Sequence, residues 1–138
     1  VSLSAIPRVI RDVVADRDGG RCGYCSLHQY GQGAVFHINH IVPRSRGGKT
    51  VIENLVLQCP CCSLRKANKI DGIDPATNES CPIFHPLAQD WDEHFVLERD
   101  GTCRGLSAVG RATVEALGMN EPIPKTARAM QILIGLLQ

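Results

Sequence analysis

The chain has 138 residues, 43% of them apolar and 21% charged, which places it among globular proteins and excludes intrinsic disorder as a description of the whole. At 15.0 kDa it has room for a single domain over residues 1–138 and not for two independent enzymatic ones. No apolar run approaches the ~18 residues of a membrane span, and no basic segment with an apolar stretch and cleavage site opens the sequence, so a soluble, cytoplasmic protein with no membrane partner is expected.

The net charge of +1 conceals an uneven distribution. From His40 to Ile70, six bases (Arg44, Arg46, Lys49, Arg65, Lys66, Lys69) face one acid, Glu53, a balance of +5. From Asp71 to Cys103, eight acids face Arg99 alone, a balance of −7. Phosphate attraction acts within about a Debye length, so the first stretch suits a polyanion and the second lies away from it; a merely solvated surface is the competing reading. Seven cysteines, an odd number, argue against a closed disulfide framework and for metal binding.

In chain order, Ile6, Val9, Ile10, Val13 and Val14 recur at helical spacing, predicting an amphipathic helix over residues 4–18 with Ser4 as N-cap and Gly19-Gly20 as its end. Cys22-Gly-Tyr-Cys25 is a tight turn. Residues 34–42 alternate and are β-branched, predicting a strand that Pro43 interrupts before the loop Arg44–Lys49. A second strand is expected over Leu55–Gln58, then Cys59-Pro-Cys-Cys62, then a helix over Ser63–Lys69. Gly72, Asp74-Pro75 and Cys81-Pro82 mark a long loop. His94–Arg99 and Thr102–Leu106 flank Asp100-Gly101, a hairpin signal. A helix over Arg111–Leu117 closes at Gly118, and Pro122 and Pro124 break the chain before a last helix, Thr126–Leu137. Its apolar face (Met130, Leu133, Ile134, Leu137) reads first as packing and alternatively as a protein-partner surface.

Cys22, Cys25, Cys59 and Cys62 form two C-x2-C pairs separated by 33 residues. Four thiolates so paired suit a tetrahedral structural zinc with no open position. Cys61 is a competing ligand by proximity, and Cys81 and Cys103 read as core thiols. Between the pairs lies His37-Ile-Asn39-His40-Ile-Val-Pro-Arg-Ser-Arg-Gly-Gly, followed by Asn54-Leu55. Together with the cysteines, this stretch resembles the HNH endonuclease family over about residues 21–70. Phe84-His-Pro, Trp91-x-x-His94-Phe95, Gly105-Leu106 and Gly110-Arg-Ala-Thr-Val114 are similar to a C-terminal extension, about residues 71–138, of a bacterial subgroup of these nucleases.

The resemblance implies an α+β protein: a small ββα-metal core with a four-cysteine zinc site, an N-terminal helix, and a C-terminal extension of a hairpin plus helices. It implies a metal-dependent DNA endonuclease that hydrolyses phosphodiester bonds. His40 takes the place of the general base, whose near-neutral pKa suits that role. Asn54 matches the Asn that ties loop to strand and so orients the His. Lys66 and Arg65 match bases beside the scissile phosphate, and Gly47-Gly48 the turn of the hairpin loop, where positive φ is expected. Arg44, Arg46, Lys49 and Lys69 suit contact with the DNA phosphate backbone.

Two positions depart from the pattern. The residue before the base, typically Asp or Glu, is Asn39; the residue after the last zinc Cys, typically His or Asn, is Ser63. Neutral oxygens there make a poor Mg2+ site. In an extended strand His37 shares a face with Asn39, and an imidazole favours Mn2+, Ni2+ or Zn2+ over Mg2+. The runner-up reading is therefore a catalytically impaired, HNH-derived nucleic-acid-binding zinc module. Outside this segment, Trp91 reads as a core anchor for the hairpin, and His85 and His94 as structural.

Overall fold

A computed structural model describes residues 6–137 of the chain, so the Ser4 cap lies outside the described residues. The first helix, α1, spans Arg8–Arg17, immediately after Pro7, whose fixed φ is compatible with a helix start. It buries only Val14 and leaves Val9 and Val13 exposed, so it lies along the core and not within it. Its C-terminal end is bound to the turn before Leu55 and to the strand that follows: Arg17 Nη1 donates to Ile52 O at 2.7 Å, and Leu57 N donates to Asp18 Oδ2 at 2.8 Å.

The centre is a two-stranded antiparallel ribbon, β1 (His37–His40) with β2 (Leu55–Gln58), followed by helix α2 (Pro60–Lys66). This is the expected ββα arrangement within an α+β protein. β2 has the expected limits. β1 is shorter than the strand predicted over 34–42 because its partner offers only four residues to pair with, from His37 opposite Gln58 to His40 opposite Leu55. Between the strands, Arg44–Arg46 forms one 3-10 turn. Gly47 has the left-handed φ of 90° that was expected; Gly48 is required for a different reason, since a Cβ there would lie 1.7 Å from Val42 O.

α2 begins three residues before the predicted Ser63. Cys59 caps it, its Sγ accepting from Cys62 N at 3.3 Å, and Pro60 occupies the first helical position, where no N–H is needed. A propensity reading missed this start because a cysteine was acting as the N-cap.

The remainder departs from the prediction at several elements, among them a helix that starts at Ala108 and not at Arg111. The long loop after Asp71 contains a hairpin, β3 (Asp71–Ile73) with β4 (Ser80–Pro82). Asp74 holds its turn: Oδ1 accepts from Ala76 N at 2.9 Å and Oδ2 from Thr77 Oγ1 at 3.2 Å, so the turn residues read from the sequence organise a hairpin instead of an open loop. A four-residue helix, α3 (Trp91–His94), leads into the expected hairpin of β5 (Phe95–Leu97) and β6 (Cys103–Gly105). Helix α4 (Ala108–Ala116) follows, capped by Ser107, and Gly110 lets it pass so close to His94 O that a Cβ would sit 2.0 Å from that oxygen.

The last helix, α5, spans Pro122–Leu133 and not 126–137. Pro122 and Pro124 start it, because the first-turn N–H groups have no intrahelical acceptor and prolines there forfeit nothing. The helix buries Pro124, Arg128 and Gln131, while Met130, Leu133 and Ile134 are 59%, 80% and 73% exposed. Of the predicted packing face, only Leu137, beyond the helix, is buried.

The core joins the two halves of the chain. Trp91 stacks on Phe95 and donates from Nε1 to Tyr24 O at 2.8 Å, as an anchor of the hairpin should. Phe84 meets Phe95 edge-on at 5.2 Å. Gln131 both accepts from His28 N at 2.9 Å and donates to His28 O at 2.7 Å, closing α5 onto the segment after the first cysteine pair. His94 bonds Ser107 Oγ at 2.6 Å and His85 Nδ1 accepts from Ala88 N at 3.1 Å, so both rings hold turns and caps.

Candidate metal centre and nucleic-acid cleft

The four cysteines converge from two turns. Cys22 N donates to Leu27 O at 2.8 Å and Gly23 N to Leu57 O at 2.8 Å, which fastens the first pair to β2; the second pair sits at the start of α2. All four are buried and their sulfurs lie within 4.8 Å of one another. Cys25 Sγ and Cys59 Sγ are 3.7 Å apart. A tetrahedron with Zn–S bonds of about 2.3 Å has an edge of about 3.8 Å, so the cluster has the dimensions of a structural zinc centre.

Its electrostatics point the same way. Hydrogen bonds from Cys22, Cys59 and Cys62 hold the Cys25 thiol well below its usual range, and the corresponding bonds with Cys22 and Cys25, aided by burial, push Cys59 and Cys62 up. Thiolates gathered this closely repel one another, and a divalent cation offsets that repulsion. Cys61 is only partly buried and stands outside the cluster, as do Cys103, a buried thiol, and Cys81, which is half-exposed on β4 and is not the core thiol it was expected to be.

The second cluster lies on the other side of α2. The alternation of β1 sets His37 and Asn39 on one face, and Ser63 comes to meet them. Asn39 Nδ2 donates to Ser63 Oγ at 2.6 Å, and His37 Nδ1 is 3.1 Å from the same hydroxyl. The three residues expected to hold a catalytic ion are thus in contact. They offer an imidazole, an amide and a hydroxyl but no carboxylate; among the described residues, the cysteines form the one group of three or more His, Cys, Asp or Glu side chains. The set fits a borderline ion such as Mn2+, Ni2+ or Zn2+ completed by a phosphate oxygen, and does not fit Mg2+ held by protein alone.

Next to it, a cavity of about 320 Å3 is lined by Asn39, His40, Arg44, Gln58, Ser63 and Asn68, among others. His40 Nε2 lies 2.8 Å from Thr50 Oγ1. Burial, and then the nearby charges of Arg44 and Lys66, lower the His40 pKa, so the ring is neutral at pH 7. Asn54 secures the loop that carries these groups: Oδ1 accepts from Val42 N at 2.9 Å, while Nδ2 donates to Val42 O at 3.0 Å and Lys49 O at 2.9 Å. Asn54 thereby ties the first and last residues of the loop together beside His40.

Three of the six basic residues are not at this cleft. Lys66 is 2% exposed and donates to Ile41 O at 2.9 Å and His40 O at 3.4 Å, and burial lowers its pKa to about 8. It is placed to hold the end of β1 from beneath and not to meet a phosphate. Arg65 is paired with Glu121 at 2.9 Å, and Lys69 Nζ donates to Ala116 O at 3.3 Å, both toward the C-terminal segment. Helical rotation explains the first case: α2 presents Ser63 to the cleft, so Arg65, about 200° further round, leaves by the opposite face. Lys66, one turn on from Ser63, shares its face and is drawn instead to the backbone carbonyls of His40 and Ile41. Arg44 lines the cleft, Arg46 donates to Asn68 O at 3.3 Å on its rim, and Lys49 is exposed.

Two cleft residues were not found from the sequence. Thr50 lies in a loop without periodicity, and its reach to His40 depends on the loop closure made by Asn54. Gln58 reads as an ordinary strand residue; its pairing opposite His37, which sets it on the His37–Asn39 face, was the available signal.

Residues 22–69, about a third of the chain, match the family model for HNH endonuclease, and the ββα unit with its four converging cysteines and histidine-bearing cleft lies within that segment. No curated protein and no solved structure matches the chain. The family match supports a nuclease-type or related nucleic-acid function. Among the described residues, no helix is long and apolar enough to cross a membrane.

Proposed function

We propose that the protein is an endonuclease that hydrolyses DNA phosphodiester bonds with His40 as general base. The observation that carries this reading is the convergence of a neutral His40 with Asn39, Ser63 and Arg44 on one cleft of the ββα core. In this reading the His40 Nε2–H is donated to Thr50 Oγ1, which leaves the Nδ1 lone pair to take a proton from water. The water oxygen attacks phosphorus as the bond to the leaving sugar oxygen breaks. Arg44, Arg46 and Lys49 hold the backbone, and Lys66 and Asn54 act as positioning residues beneath and behind His40. His37, Asn39 and Ser63 would hold a divalent ion, whose contribution is Lewis-acid stabilisation of the phosphate. The four cysteines hold a structural zinc, and residues 1–138 work as one domain in which the C-terminal segment buttresses the zinc turn.

A nicking assay on supercoiled plasmid with Mg2+, Mn2+ or Ni2+, run beside His40→Ala, tests the reading. Nicking that depends on added metal and disappears in the variant is the expected result. The absence of any carboxylate from the cleft favours one second reading, a nucleic-acid-binding module without turnover. Salt-sensitive DNA binding with no cleavage under any of the three metals would establish that module instead.

A further inference from the structure

Gln58 has no role in the mechanism above, yet its position is unusual. It is the last residue of β2, 1% exposed, pairs opposite His37, and contributes to the cleft wall with Asn39 and Ser63. Its Nε2 is buried without a hydrogen-bond partner. A buried amide donor left unsatisfied is a standing cost to the folded state, and native proteins rarely retain one without use. Leu57, its neighbour, faces the opposite side of the ribbon and is an ordinary core residue, so packing alone does not call for an amide at position 58.

We propose that Gln58 is a substrate-contacting residue whose Nε2 donates to a non-bridging phosphate oxygen of nucleic acid seated in the cleft. The inference rests on the nucleic-acid reading of that cleft. Gln58 lines the cavity while its Nε2 is buried. Its outer torsion, broad in glutamine, lets the amide turn toward the cavity when an acceptor arrives. The bond so gained is one that Nε2 lacks in the free protein. A phosphate is the acceptor that fits, because the cavity is flanked by Arg44 and Arg46 and has no acidic residue in its lining. An uncharged donor at the floor also suits a contact that must position a phosphate without binding it so tightly that product stays.

The test is fluorescence anisotropy with the full chain and short DNA duplexes of unrelated sequence, across a salt series and without added divalent ion. Gln58→Met is expected to weaken binding about tenfold for every duplex. Its salt dependence should match the unaltered protein, since a neutral amide displaces no counterion, whereas Arg46→Ala should reduce the slope by about one. The melting temperature of Gln58→Met should be equal or higher, because the variant removes an unsatisfied donor. Gln58→Glu, nearly the same shape, should bind more weakly still through repulsion of the phosphate.

Binding by Gln58→Met equal to that of the unaltered protein would overturn the proposal and assign the amide to an ordered water. A lowered melting temperature accompanying the loss would overturn it in favour of packing, and a loss confined to some sequences would move the contact to a base edge. If the unaltered protein binds no duplex, the cleft reading fails as well. If it binds and Gln58→Glu binds equally well, only the Gln58 assignment fails.

Discussion

The segment over residues 22–69 and the segment from Asp71 onward are held together by different means. The first has a four-residue ribbon and a seven-residue helix, and its densest cluster is four cysteine sulfurs. The second has Phe95 in contact with both Phe84 and Trp91, a fully buried Arg128 bonded to Gly101 O and Met119 O, and the Asp74–Arg111 pair. A unit of about fifty residues buries little surface, and two supports are open to the first segment: the zinc proposed for its cysteines, and its neighbour. Trp91, Cys103 and Gln131 each reach back to backbone groups of residues 24–28, beside the first cysteine pair. The cleft is lined by residues 39–68 alone, which separates it from the contacts that join the two segments.

The sharpest way to break this contrast is to remove the metal. Cys59→Ser should lose about one equivalent of zinc and abolish cooperative melting, since zinc bound to structural cysteine sites contributes about 10–16 kcal/mol, comparable to the whole stability of a domain of this size. Metal analysis and thermal melting measure it. A Cys59→Ser protein that keeps its zinc and its melting transition would show that the second segment suffices alone.

His40→Ala should leave zinc content and melting unchanged and reduce nicking by about a hundredfold or more, the usual contribution of a general base. Reduced DNA binding without a change in turnover would remove His40 from the chemistry. Smaller again is the effect expected of Asn39→Asp combined with Ser63→Asn, which restores a carboxylate to the neutral donor set. Nicking supported by Mg2+ should rise about tenfold relative to Mn2+, with Mg2+ binding by calorimetry rising in parallel. Unchanged binding would place the catalytic ion elsewhere.

The zinc turns, β2, the β5–β6 hairpin and the shared face of His37 and Asn39 could be read from the sequence, because each depends on short-range spacing or on strand alternation; Ser63 joined them only through the family resemblance. What could not be read depends on competition between distant groups. Cys59 serves as an N-cap, so α2 starts early; its rotation takes Arg65 away from the cleft, and the carbonyls at the end of β1 draw Lys66 beneath it. The prolines of α5 look like breakers until the helix is seen to begin at them. Asp74 and Pro75 look like a loop because nothing local announces that Arg111, 37 residues later, will satisfy the carboxylate. Thr50 and Gln58 matter only through partners set by loop closure and strand register.

The mildest prediction concerns the second segment. The Asp74 side chain has no exposure, and Arg111 donates to it twice, from Nε and from Nη2, each at 2.9 Å. The Arg111 hydrogen bonds, then those of the Ala76 amide and the Thr77 hydroxyl, lower its pKa to about 2. An unfolded aspartate titrates near ~3.9, so the folded state holds the charged form more strongly than the unfolded chain does. The stability this confers is fully present above about pH 4 and is lost as pH falls toward about 2. Asp74→Asn keeps an acceptor for the turn but gives up the charge, and should lower the melting temperature by a few degrees at pH 7. The difference between the two proteins should shrink between about pH 4 and pH 2 and vanish below that, because there the unaltered Asp74 is itself neutral. A difference that persists unchanged at pH 2 would mean that Asp74 acts by shape alone and that the charge of Arg111 contributes nothing to the second segment.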